Sequence, residues 1–419
     1  MHLHTPLPVL LSFLALTSFG CGTKLVDIGS EVGDESAEET ASSGESGSQE
    51  GDGAGLVEAR GISIVEVEAN QAVQIPLTEG AEWIGPESRV GRLVGGRDTL
   101  LRVHWEVAEG WQPHPVTFRL RLGPDTVAEQ TVEVEGDSAR TSMSSTVNFI
   151  LAASEGYADP GLDFSVELLE SEDDSDLLLD ALAHVAPADG PAPIGFESGP
   201  MEFEVVFVPV HYTGGGLDTQ PEPDAESLAP ILDRLYELYP ISEVVWSVHE
   251  PLEVDVAVES LGQLLPMLQS LRTADEAEPQ VYYHALIDPG CTTDPCLVTG
   301  TAGISYLPGA TKAEAGARVA ASSMATYEGV SETIVHELGH SQGLVHGFCP
   351  TQEAAGAEPN YPHPEGLIGA WGYGLRSGTL HNPATTHSFM SYCPDPWVSR
   401  LEWNLLFERV ETLTAWAYE

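Results

Sequence analysis

Ile334-Val335-His336-Glu337-Leu338-Gly339-His340-Ser341-Gln342-Gly343-Leu344-Val345-His346 is the stretch whose reading decides the rest of the chain. Wound as a helix, it sets His336 and His340 four residues apart, so both imidazoles project from one face. Two neutral ring nitrogens at that separation suit tetrahedral Zn2+, and Glu337 stands beside them, able to hold a water at the metal. Gly343 lets the backbone leave the helix sharply, because it carries no Cβ to penalise positive φ. His346, three residues on, can swing back as a third ligand. Three protein ligands leave a fourth position open to water, the arrangement of catalytic rather than structural zinc. The bland alternative, an amphipathic helix with two chance surface histidines, needs five positions to coincide. One catalytic zinc ion is therefore expected.

The pattern H-E-x-x-H-x-x-G-x-x-H resembles, without a departure, the extended zinc signature of the metzincin metallopeptidases. Downstream, Ser388-Phe389-Met390-Ser391-Tyr392 is similar to the methionine turn that this family carries beneath its metal. The resemblance implies that Met390 is an adaptable apolar floor under the histidines, that Tyr392 reaches the metal or the reacting carbonyl, and that Glu337 is the general base. In metzincins the sheet edge above the metal pairs with an extended substrate. Residues 301–309 resemble that edge, which makes Gly303, Ile304, Ser305 and Tyr306 candidates for main-chain pairing with substrate. An ordinary edge strand is the competing reading.

His346-Gly347-Phe348-Cys349 is similar to pappalysin-like enzymes, whereas Met390-Ser391-Tyr392-Cys393 followed by Trp397-Val398-Ser399 looks more like bacterial mucin-cleaving relatives with an N-terminal β-domain. The likeness rests on residues 334–346 and 388–399 and leaves the two groups unresolved. It implies a zinc metalloendopeptidase acting on extracellular proteins or glycoproteins. The rival from another class is a surface adhesion lipoprotein with a vestigial zinc site. Loss of Glu337 or of a histidine would favour that rival, and all are intact.

The formal charge of −49 over 419 residues argues against nucleic acid or an anionic membrane surface as partner, since both would be repelled. Calcium is not indicated despite the many carboxylates, because no EF-hand-type loop is present. A monomer is expected. Residues 1–21 carry an apolar run from Leu7 to Phe19 and read as an export signal, too short for a membrane span. Cys21 after Gly20 resembles the lipidated cysteine of bacterial lipoproteins, although Ser18 and Phe19 depart from the usual lipobox. The expected location is outside the cell membrane, as an outer-membrane or cell-surface lipoprotein or as a secreted protein. A lipid on Cys21 would be the sole membrane contact.

The other cysteines, Cys291, Cys296, Cys349 and Cys393, allow three disulfide connectivities. Cys291 and Cys296 bracket a short loop. Cys349 follows the third ligand and Cys393 follows the methionine turn, so a bridge between them would tie two halves of the site together, and this pairing is favoured. A four-cysteine zinc site is disfavoured by the absence of tight Cys-x-x-Cys spacing.

Length suggests about two domains. Residues 22–59 are Ser/Gly/Glu-rich and read as a disordered tether. Residues 60–170 alternate apolar and polar positions between turn formers, which predicts an antiparallel β-sandwich with no catalytic constellation of its own. Residues 171–200 read as an acidic, then Pro/Gly-rich connection with a short helix near residues 177–185. From residue 201 to 419, strands alternate with amphipathic helices. The expected fold is thus an N-terminal all-β sandwich followed by an α/β, metzincin-like zinc peptidase domain, with Ser331 capping the metal helix.

Overall fold

The computed structural model describes the backbone of residues 26–27 and residues 55–175, 179–290, 301–324, 329–351, 357–358 and 361–419. Residues 1–21, with the expected export signal and Cys21, and Cys291 and Cys296 lie outside the described residues. Among the described residues strands outnumber helices.

The first half is built on seven main strands: β1 (Ile62–Asn70), β2 (Gln74–Pro76), β3 (Thr99–Val107), β4 (His114–Leu122), β5 (Asp125–Val134), β6 (Val147–Leu151) and β7 (Asp163–Ser171). One antiparallel sheet runs β6-β3-β1-β2, and the other runs β5-β4-β7. Alternation along β4 sends Val116, Phe118, Leu120 and Leu122 inward, as period-two patterning requires. They meet Ile64, Val103 and Trp105 of the facing sheet in one apolar core. Trp105 and Phe118 pack with ring centroids 4.9 Å apart.

Both flanks of this sandwich differ from expectation. Leu56–Glu58, expected at the end of the tether, pairs with Leu169, Glu170 and Ser171. The expected connection is largely sandwich as well: Val185–Ala186 and Ala192–Pro193 add to β7, and Phe196–Glu197 pairs with Leu93–Val94. Among its described residues no helix forms near 177–185. Proline- and glycine-rich composition reads as loop, yet short extended pieces at a sheet margin need few ladder bonds, and proline is tolerated there.

The second half follows with β8 (Glu202–Tyr212), α1 (Ala225–Leu238), β9 (Glu243–Val248), α2 (Leu264–Ala274), β10 (Tyr282–Ile287), β11 (Gly303–Ser305), β12 (Val319–Ser323), α3 (Val330–Ser341) and α4 (Arg400–Ala417). The sheet order is β9-β8-β10-β12-β11. It is parallel except for β11, which runs antiparallel to β12 at the edge. Alternate residues of β10 point to opposite faces. Tyr282 and Leu286 join the core that contains α1, α3 and α4, while Tyr283, Ala285 and Ile287 join the core under α2.

Two further short pairs matter for the site. Gly372–Tyr373 pairs with Leu380–His381, and β13 (His387–Ser388) runs parallel to β14 (Pro396–Trp397). Residues 371–374 face the sandwich. Gln74 donates to the Trp371 carbonyl at 2.8 Å, Tyr373 donates to that of Ala72 at 3.2 Å, and Val73 bridges Gly372.

Candidate metal centre

α3 carries His336, Glu337 and His340. Ser331 does not cap it: the helix starts at Val330 after Gly329, which sits at φ 104° with no side-chain cap. The left-handed glycine already turns the chain into the helix, so Ser331 falls inside the first turn. The C-terminus follows expectation. Gly343 at φ 91° donates to the His340 carbonyl at 2.7 Å, and Leu344 donates to that of Gly339 at 3.0 Å. These are the two bonds of a Schellman ending, which swings the following chain back across the helix.

That reversal brings His346 to the other two histidines, with one ligand atom from each within 4.8 Å of the others. His336 uses Nδ1 toward the Phe389 carbonyl at 3.0 Å, and His340 uses Nδ1 toward the Leu344 carbonyl at 2.7 Å. Carbonyl acceptors fix both rings with the proton on Nδ1, leaving the Nε2 lone pairs free to point inward. His340 and His346 present Nε2 atoms 3.0 Å apart, and His336 Nε2 is buried with no hydrogen-bond partner. Burial is the main cause that depresses His336 to about 3 and His340 to about 4, so both rings are neutral. Three converging imidazole nitrogens fit a zinc ion.

Glu337 is 8% exposed, and burial pushes its carboxyl up to about 8; a neighbouring cation would pull it back down. β11 lies against it. A Cβ built on Gly303 would come 2.5 Å from Glu337 Cγ, so only glycine lets the edge strand approach the carboxylate this closely. Ser305 Oγ is 2.7 Å from Ser341 Oγ and ties the same strand to the far end of α3. Ile304 and Tyr306 pack partly buried on the α2 side of the sheet.

Met390 is fully buried, and a Cβ on Gly339 would lie 2.6 Å from its sulfur. The thioether thus lies against the helix between the two histidine turns. Tyr392 is exposed, and its hydroxyl is 3.0 Å from His346 Nε2. Burial and then the charge of Glu337 raise its phenol above the usual range. Cys349 and Cys393 are joined at 2.06 Å and link the segment after His346 to the segment after Met390.

Sequence reasoning missed what holds this turn. Ser388 Oγ bonds the buried Glu402 carboxylate and accepts from the Met390 amide at 3.0 Å. Glu402 also accepts from the Ser399 amide at 2.8 Å, closing a capping box at the start of α4. Ser399-x-x-Glu402 carries a readable capping signal, but its reach to Ser388 is tertiary. Beside the first turn of α3 opens a cleft of about 450 Å3 lined by Glu332, Arg234, His381 and Asp395 among others. His381 lines this cleft, stacked on Trp397 with ring centroids 3.8 Å apart. His363 packs instead on Tyr361, and His387 lies in β13.

The described residues contain one other group with the reach to hold a metal, Glu66, Glu68 and His104 of the sandwich. No helix among the described residues is long and apolar enough to cross a membrane. No family model matches the chain, and no curated protein matches it. One similar solved structure is a cycloisomaltooligosaccharide glucanotransferase from Paenibacillus sp., complexed with cycloisomaltoheptaose. It is 14% identical over 54% of this chain and 28% of that chain, with a TM-score of 0.19. The chain spans less than a third of that protein's length, and a likeness this weak carries no argument.

Proposed function

We propose that the chain is an exported zinc-dependent endopeptidase of metzincin type, hydrolysing peptide bonds in extracellular proteins or glycoproteins. The observation that carries the reading is the set of three converging imidazoles, with the buried Glu337 carboxylate beside them and a sheet edge alongside. His336, His340 and His346 hold the ion. Bound zinc supplies Lewis-acid activation of water and of the scissile carbonyl.

The remaining work belongs to the protein. A substrate strand pairs with the Gly303–Ser305 edge, placing its scissile carbonyl beside Glu337. Glu337 takes a proton from the water as its oxygen bonds to the carbonyl carbon. The same carboxyl then delivers a proton to the amine nitrogen as the C–N bond breaks. Tyr392 gives up its contact with His346 when that nitrogen is engaged, and its hydroxyl then donates to the developing oxyanion. Met390 and the Cys349–Cys393 bridge keep the floor and the third ligand in register.

The test is incubation of the full chain with a denatured protein mixture and a glycoprotein mixture, beside Glu337→Ala and a chelator control. Cleavage that is lost in both controls is expected. Absence of cleavage by a zinc-loaded chain would turn the reading toward a binding protein with a vestigial site.

A further inference from the structure

We infer that the β-sandwich is part of the metal centre, with Trp397 acting as a positioning residue that carries its hold from Ala72 to His336. The inference rests on the metal-site reading above. Its basis is a chain of three hydrogen bonds. Trp397 Nε1 donates to the Ala72 carbonyl at 2.8 Å; the Phe389 amide donates to the Trp397 carbonyl at 2.8 Å; and His336 Nδ1 donates to the Phe389 carbonyl at 3.0 Å. The partner that orients a ligating imidazole is thus itself held by a tryptophan whose indole is docked on the other half of the molecule. Outer partners of this kind set ligand orientation and basicity.

The anchor is built to be stiff. Ala72 is fully buried at φ 149°, a region that only glycine enters freely, and surrounding contacts must enforce it. Its carbonyl accepts from both Trp397 and Tyr373. Beside it Arg97, fully buried, donates to the carbonyls of Gln71 at 2.7 Å, Tyr239 at 2.9 Å and Ile241 at 2.7 Å. It thereby clamps the sandwich corner onto the end of α1. Ala72 and Val73 also share one apolar cluster with Met390, Phe389 and Val335 of the metal site. A corner of the sandwich and the floor of the site are one packed body.

The test uses the full chain and reads metal, not turnover. Cobalt is titrated into the metal-free protein for its visible ligand-field spectrum, and zinc affinity is measured by competition with a chromophoric chelator. Trp397→Phe keeps the ring and removes the N–H. It is expected to shift the cobalt bands and weaken zinc by about 3- to 10-fold, below the 10- to 100-fold typical of removing a direct outer partner. Ala72→Gly, which relaxes the enforced φ and keeps the carbonyl, is expected to act in the same direction by a smaller factor. Val166→Ala lies in the same sandwich, away from this corner, and is expected to leave both readouts unchanged.

Wild-type spectrum and affinity in a folded Trp397→Phe protein would overturn the coupling. Should that variant fail to fold, wild-type behaviour of Ala72→Gly does so instead. An equal effect of Val166→Ala would also overturn it, by reducing it to general loosening. A wild-type chain that takes up no cobalt would sink the metal-site reading itself, a result distinct from all of these.

Discussion

Two places among the described residues gather three metal-capable side chains within 4.8 Å, and they are opposites. In the sandwich, the Glu66 and Glu68 carboxylates are already engaged by arginines. Arg140 reaches Glu66 at 2.9 Å and Glu68 at 3.1 Å, Arg102 lies 3.9 Å from Glu68, and His104 lies 3.2 Å from it. Burial works to raise the Glu66 carboxyl, but Arg140 overcomes it and holds the group below its usual range. At α3 no such cation stands among the histidines, the His336 and His340 rings are neutral, and the buried His336 Nε2 has no hydrogen-bond partner. Convergence of donors alone does not mark a metal site. The charge already present among them decides.

The sharpest way to break this contrast is chemical. Glu337→Gln should lower kcat by about 10²- to 10⁴-fold, the span of general-base contributions, while zinc content by metal analysis stays at wild type. His340→Ala should lose the metal as well. The sandwich cluster should answer differently. Glu68→Ala strands the buried Arg102 and should cost about 3 kcal/mol of stability in denaturant unfolding. Its zinc stoichiometry should not change, and a fall would mean that the sandwich cluster holds metal after all.

A smaller effect probes the floor. Gly339→Ala drives a methyl toward the Met390 sulfur, 2.6 Å away, and should cost about 1–3 kcal/mol as overpacking. No change in the unfolding midpoint would mean that Met390 is free to move.

The smallest effect is in pH. His284, buried with its pKa depressed to about 3, joins His336 and His340 as a histidine that the unfolded chain protonates first. Between pH 6.5 and 5 the unfolded state binds more protons, so acid should destabilise the metal-free protein by about 1 kcal/mol per such histidine. Glu337 opposes this, because its raised pKa makes stability fall as pH climbs from its unfolded value toward 8. Zinc should flatten the dependence by withdrawing the site groups from titration. A metal-free midpoint independent of pH over this window would contradict the buried, neutral rings.

What was legible in the sequence was periodicity and local spacing. Leu228, Ile231 and Leu235 announce α1, alternation announces β4, and the histidine spacing with Gly343 announces the Schellman reversal that delivers His346. The pairing of Cys349 with Cys393 could be argued because each follows a site motif. Illegible were contacts between segments remote in sequence. Nothing local in Ala72 or Arg97 signals that they grip a segment more than a hundred residues away. The Pro/Gly-rich run before residue 200 hid its pairing because short margin strands carry little pattern. The Ser331 cap failed because a left-handed glycine two residues earlier left it no terminus to cap.

Ala72 and Trp397 stand 325 positions apart. Contacts so distant close late, since a long loop must be ordered before they form. A ribosome releases the sandwich first, and N-terminal domains fold first during synthesis. The corner at Ala72 can therefore be waiting, already shaped, when the last strand and helix emerge. His336 is then expected to acquire its Phe389 acceptor only after that docking. Synthesis order thus imposes a delay: a nascent chain that stops short of residue 396 holds the histidines but not the frame that aims them.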